Sequence, residues 1–230
     1  MTIPNAFCWT RFGTEAGQTI SEIFARKEAE RSRNDGVFLW GIGNNVAPSI
    51  ASLLRIESKP HVLFSPIKSP PRETDVSPSQ IAVWTEGAGV DGSAYRVPSG
   101  SLVTSRFHGV RKRKHYALVC RSNHHIKETE SDEFVDFDTL VNVKSGKQIG
   151  SSQVTSIVRR IQEAGSGSGR YPVSFKAELV YPYVVELNHC GVVSNTGVKP
   201  EAMMRQAWEV QKMMLAEPAQ MDEDQPRMFG

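Results

Sequence analysis

The chain has 230 residues, 39% of them hydrophobic, and a formal net charge of +2. That supports one sizeable core, and no apolar run is long enough for a membrane span. The three cysteines, Cys8, Cys120 and Cys190, are dispersed and odd in number, which suits a reducing cytoplasm better than a disulfide framework. The start lacks the basic-then-apolar pattern of a secretory leader, so a cytoplasmic protein without a membrane partner is the expectation.

Residues 6–12 form a short apolar, aromatic run that reads as a first strand. Residues 18–33 read as a helix, with Ile20, Ile23, Phe24 and the stem of Lys27 on one face and a charged opposite face. Asn34-Asp-Gly36 supplies a stop. A strand over 37–40 then reaches Trp40, followed by a Gly41-Ile-Gly43 turn and a helix carrying Val46, Ile50, Leu53 and Leu54. Asn44 or Asn45 can cap that helix, and Pro48 fits its first turn.

Strands are expected over 61–67 and 80–85, a Gly- and Ser-rich loop over 86–100, and strands over 102–107 and 115–121. Residues 134–143 alternate as a half-buried strand does. Val154, Ile157, Val158 and Ile161 recur at helical spacing, with Ser151 or Ser152 as the cap. Gly165–Gly169 reads as a flexible linker. A long strand or hairpin interrupted by Pro182 occupies 173–188. A helix over 200–215 packs its methionines and Trp208, and the final dozen residues read as a tail. Helices interrupt only the first half, which suggests an α+β domain with a curled sheet.

Charge is unevenly spread. Between Gly92 and Lys127 there is no Asp or Glu, while Arg96, Arg106, Arg111, Lys112, Arg113, Lys114, Arg121 and Lys127 all fall there. Such a belt suits phosphate, or else a solvated loop. His108, His115, His124 and His125 lie in it or beside it.

Trp40-Gly-Ile-Gly-Asn44, then Ala47, Leu53 and His61-Val-Leu-Phe-Ser65, resembles the EVE domain. The same stretch is similar to the YTH domain, where a Val-Trp strand end precedes an Asn-bearing helix start and a strand ending in Phe-Ser. Lys147-Gln-Ile-Gly-Ser-Ser152 sits where those domains carry a late turn near the pocket. The resemblance covers about residues 5–160. It implies a PUA-like fold, a curled sheet or small β-barrel flanked by helices, over residues 1–164. A strand-helix extension over 165–216 would pack on it or recruit an effector protein, and 217–230 would be an acidic tail.

The resemblance also implies a binding module for a modified base, such as a methylated one, in DNA in preference to RNA. Trp40 would be one wall of an aromatic cage. Gly41 stands where YTH domains often have Ser, which leaves only a backbone amide there. Trp84, Trp9 and Tyr95 are candidates for the opposite wall. Asn44, Asn45, Ser151 and Ser152 would read the polar edge of the base or cap helices. Arg106, Arg111, Lys112, Arg113, Lys114 and Arg121 would hold flanking phosphates without choosing sequence. Stacking on the aromatics would replace the roughly few kcal/mol lost when a base leaves its stack.

No catalytic residue, metal or cofactor is expected. Cys120, His124, His125, His189 and Cys190 lack paired metal-ligand spacing, and Cys190 with His115 lacks a nucleophile motif. A metal-dependent nuclease or base-processing enzyme using Asp132, Glu133, Asp136 and Asp138 is one alternative. A small-molecule sensor lined by the same tryptophans is another.

Overall fold

A computed structural model describes residues 3–15, 18–67, 80–105, 114–127, 133–150, 154–161, 169–193 and 200–216. The first strand, β1 (Ala6–Phe12), leads into helix α1 (Ile20–Arg33). Thr19 caps α1 in a reciprocal box: its hydroxyl accepts from the Glu22 amide at 3.3 Å, and the Glu22 carboxylate accepts from the Thr19 amide at 2.7 Å. The helix ends at a turn that needs Gly36. Its φ is +84°, and a Cβ there would lie 2.8 Å from the Ser122 carbonyl oxygen.

Strand β2 (Val37–Ile42) runs through Gly41 rather than turning at it. A 3-10 turn over Ala47–Ser49 and the short helix α2 (Ile50–Leu54) follow. Neither has a side-chain cap, so Asn44 and Asn45 do not serve in that role. Then come β3 (His61–Pro66) and β4 (Gln80–Gly89), with β5 (Ala94–Arg96) and β6 (Leu102–Ser105) beside β4. The expected loop over 86–100 is thus partly a hairpin, because Glu86, Gly87 and Ala88 pair with Arg96, Tyr95 and Ala94.

The chain continues through β7 (His115–Arg121), β8 (Phe134–Asp136) and β9 (Leu140–Asn142). The expected strand over 134–143 is broken by a 3-10 turn at Phe137–Thr139, which Asp136 caps by accepting from the Asp138 amide. Residues 155–160 correct the helical expectation: they form strand β10 (Thr155–Arg160), placed between β1 and β9. The apolar spacing had two readings. Ile157 and Val158 belong to different cores, so both faces of this strand are buried. β-branched side chains suit that position.

Strand β11 (Arg170–Pro172) pairs with β8 as a separate ribbon. Strand β12 (Phe175–Val193) is long, and its register with β7 shifts between Leu179 and Val184, around Pro182. Proline has no amide to give the ladder. The segment expected as an extension therefore lies inside the sheet, whose order is β2-β7-β12-β3-β1-β10-β9, with β4 attached to β12. Only β1 and β3 run parallel on this path.

Helix α3 (Pro200–Ala216) packs over β4 and α1. Ala207 and Gln211 are its buried contacts, and Gln211 bonds both the Gly100 amide (2.8 Å) and the Trp84 carbonyl (3.1 Å). Trp208 and Met213 instead face solvent, at 44% and 63% exposure, contrary to the packing role expected of them. No helix among the described residues is long and apolar enough to cross a membrane.

The sheet curls. Phe12 of β1, Trp40 of β2 and Phe64 of β3 share one core, with ring centroids of 5.1 Å for Phe12–Trp40 and 4.7 Å for Trp40–Phe64. Strands β2 and β3 are three places apart, which on a flat sheet is roughly 14 Å. The architecture is mixed α+β and dominated by sheet, and the described strands do not close into a barrel. Helices α1 and α2 plug the concave face with Ile23, Phe24, Ile50 and Leu53. The convex face has two covers. The β4–β6 region lies over Leu39, Val119 and Val185, and the β8–β11 ribbon lies over Phe7, Trp9 and Val158.

Candidate functional site

The tryptophans proposed for one cage are placed in three separate cores. Trp9 is buried under the β8–β11 ribbon, and its indole donates to the Ser65 hydroxyl at 2.9 Å. Arg11, two residues along the same strand face, lies 5.0 Å from the Trp9 ring and 5.5 Å from the rings of Phe137 and Tyr171. An aromatic cage exists here, but the chain's own guanidinium fills it. Trp84 is buried on the other convex patch with Tyr95, its indole aimed at the Val103 carbonyl at 3.5 Å. Burial pushes the Tyr95 phenol up to about 12.

Trp40 differs. It is 9% exposed, at the edge strand β2, and it borders a recess of about 30 Å³. Gly41, Phe12, Glu15, Arg26 and Lys27 line the same recess, with Leu102 and Val103 of β6 opposite. Asn44 and Asn45 are exposed and do not line it. Ser151 and Ser152 lie outside the described residues.

The recess sits on a seam that the sequence did not announce. A free sheet edge exposes unpaired amides and carbonyls. At Leu39 of β2 these are met by side chains of α1: Glu30 accepts from the Leu39 amide at 2.7 Å, and Lys27 donates to the Leu39 carbonyl. Lys27 also bonds Glu30 at 2.8 Å and the Leu102 carbonyl at 2.7 Å. Arg26 adds a second bond to that carbonyl at 2.8 Å and one to Gln18 at 2.9 Å. The charged face expected of α1 is therefore partly buried at Arg26 and Glu30, and Lys27 buries its ammonium along with the stem expected on the apolar face. Arg26 and Lys27 are at most 4% exposed and Glu30 is fully covered. Burial draws the Lys27 ammonium down to about 8; Glu30 pulls it up and Arg26 pushes it further down.

This geometry leaves one backbone pair at the edge. Alternate residues of an antiparallel strand point their N–H and C=O to the same side. Leu39 points its pair to the seam, so Gly41 does too. Gly41 is exposed and has no side chain to block approach.

Of the basic belt, only Lys114 and Arg121 of the six expected phosphate-binding residues are described. Arg106, Arg111, Lys112 and Arg113 lie outside the described residues. Lys114 and Arg121 sit at opposite ends of β7, about 20 Å apart at strand rise. Lys114 pairs with Glu186 at 2.8 Å. Arg121 instead belongs to a convex-face groove with His61, Lys176 and Glu178.

Of the carboxylates weighed for metal chemistry, Asp132 is outside the described residues and Asp136 caps its turn. Among the described residues no three His, Cys, Asp or Glu side chains converge as a metal site. Cys120 is buried in the sheet, and burial raises its thiol well above the usual range.

No protein family, curated protein or solved structure matches the chain.

Proposed function

We propose that the chain is a nucleic-acid-binding module of the PUA-like, EVE/YTH type that recognises a modified base at the Trp40 edge. The observation that supports it is the pairing of Trp40 with the open Gly41 backbone beside one small recess. Every base offers a donor next to an acceptor on its pairing edge, and the Gly41 N–H and C=O match that arrangement without choosing among bases. Selection then falls to the recess. At about 30 Å³ it suits a water, a methyl or a hydroxymethyl group and not a whole base. The base lies across the mouth against the indole rim, and its modification enters.

The seam makes this wall rigid. Phe12 and Phe64 hold the Trp40 ring edge to face, and the Lys27–Glu30 pair fixes the strand beside it. Binding takes place without catalysis, and DNA is the preferred substrate class.

The test is fluorescence anisotropy with oligonucleotides that differ only by one methylated base. The wild-type chain should prefer the modified strand by about tenfold, the equivalent of about 1.4 kcal/mol. Trp40→Leu, kept only if its circular dichroism matches wild type, should erase the preference. Equal affinity for both strands in the wild type refutes the reading.

A further inference from the structure

The convex face of β7, β12 and β3 carries a groove of about 220 Å³ between the two covered patches. Register sets its chemistry. Arg121 pairs with Glu178, and Glu178 pairs with His61, so the three side chains stand in one row across neighbouring strands. Neighbouring strands are about 4.8 Å apart. Lys176 lies two residues before Glu178, on the same face. The residues between, Ala177 and its neighbours Cys120 and Val62, point into the concave core. Ser122, Asn123 and His124 form a further wall.

Two features define the chemistry of this groove. First, its two cations share one recess and are unengaged. Among the described residues, the Arg121 guanidinium and the Lys176 ammonium make no hydrogen bond or ion pair, although Glu178 stands in the same row. Lys114, Arg31 and Lys27, by comparison, are each held by a carboxylate, from Glu186, Glu28 and Glu30. Second, the His61 ring lines the groove half-buried. Burial and then Lys176 hold the ring below its usual pKa, with the Lys59 backbone, Glu178 and Glu57 acting the other way.

The wall beside the groove is braced. Glu28 of α1 accepts from the Ile126 amide at 2.7 Å, meets His125 at 2.8 Å and pairs with Arg31. Ser122 bonds both the amide (3.2 Å) and the carbonyl (2.9 Å) of His124. The groove is thus a shaped pocket with two cations against a single carboxylate.

We propose that this groove is an oxyanion site that binds a phosphate group between Arg121, Lys176 and His61. Arginine forks onto phosphate oxygens and lysine adds a point charge, while the imidazole supplies a third donor when protonated. Glu178 opposes the anion and sets its affinity low. The site lies on the face opposite the Trp40 side chain and stands independently of the base reading. The phosphate can come from a nucleic-acid backbone or from a free or terminal monoester.

Histidine-edited NMR of the full chain tests this, with the His61 signal assigned by its loss in His61→Gln. Inorganic phosphate should shift that signal saturably. Arg121→Gln with Lys176→Gln should weaken the response by about tenfold or more. Glu178→Gln should tighten it severalfold, a gain that misfolding cannot produce. Trp40→Leu should leave it unchanged. An oligonucleotide without terminal phosphate that moves His61 in the same way assigns the site to backbone phosphodiester. A response confined to inorganic phosphate and 5′-phosphorylated strands assigns it to monoesters. A stationary His61 signal in every arm, or an undiminished response in the double variant, overturns the proposal.

Discussion

Two sets of charged residues border one ten-stranded sheet, the first on helix α1 and the second on the convex face, and they differ in how they are matched. At the seam, Arg26, Lys27 and Glu30 are buried and matched to backbone groups of β2 and β6. In the convex groove, Arg121 and Lys176 are reachable by solvent and unmatched, beside the half-buried His61. A buried charge without a partner costs several kcal/mol, so the seam charges are structural by necessity. Unmatched charges at a groove cost little in water, which leaves them available to a ligand. Burial with pairing to backbone groups thus indicates architecture.

The largest expected effect breaks the seam. Glu30→Ala leaves the buried Lys27 ammonium without its counter-charge and the Leu39 amide without its acceptor, and urea denaturation should show a loss of about 3–5 kcal/mol. Next is Arg11→Ala, which empties the cage of Trp9, Phe137 and Tyr171 and removes the bond to the Gly150 carbonyl. It should cost about 2 kcal/mol in the same assay.

The seam also predicts a pH dependence. Folded Lys27 titrates near about 8, against 10.5 for an ordinary lysine. Between those values the unfolded chain holds the extra proton, so this group makes stability rise as pH increases through that window. Below about 8 both states are protonated and its contribution is flat. Paired melts of wild type and Lys27→Met across pH 7–11 isolate the term: the wild type should gain on the variant through the window. A constant difference would show that Lys27 is not desolvated.

The smallest effect belongs to the groove. Arg121→Gln removes an unpartnered exposed cation and should change stability by no more than about 0.5 kcal/mol. A loss as large as that of Glu30→Ala would erase the distinction between the two regions.

How much of this was legible in the sequence follows from how local each signal was. Strands β1 and β7 fall where their apolar runs place them, and α1 carries its cap in the chain itself. Residues 154–161 misled because i, i+3, i+4, i+7 spacing is also satisfied by a short strand buried on both faces, and the partners β1 and β9 are what decide between them. Arg26 and Glu30 read as solvent-facing because Leu39 and Leu102, which bury them, are distant in sequence. Trp40 falls in the strand its apolar run announces but not at its end, which is Ile42, and its separation from Trp9 and Trp84 depends on sheet curl. Lys114 and Arg121 looked like one belt because a strand hides about 20 Å between residues that are near neighbours in sequence. The unpartnered pair at Arg121 and Lys176 exists only in the register of β7 with β12.

The central claim is that Trp40, unlike the other core tryptophans, meets the base. Indole N–H spectra of the labelled chain address it directly, since Trp9 is bonded to Ser65 and Trp84 points at Val103 in separate cores. The Trp40 signal, identified by its loss in Trp40→Phe, should move saturably with the methylated oligonucleotide and far less with the plain one, while the Trp9 and Trp84 signals stay in place. A Trp40 signal that stays still at saturation, or that moves equally with both strands, would contradict the account.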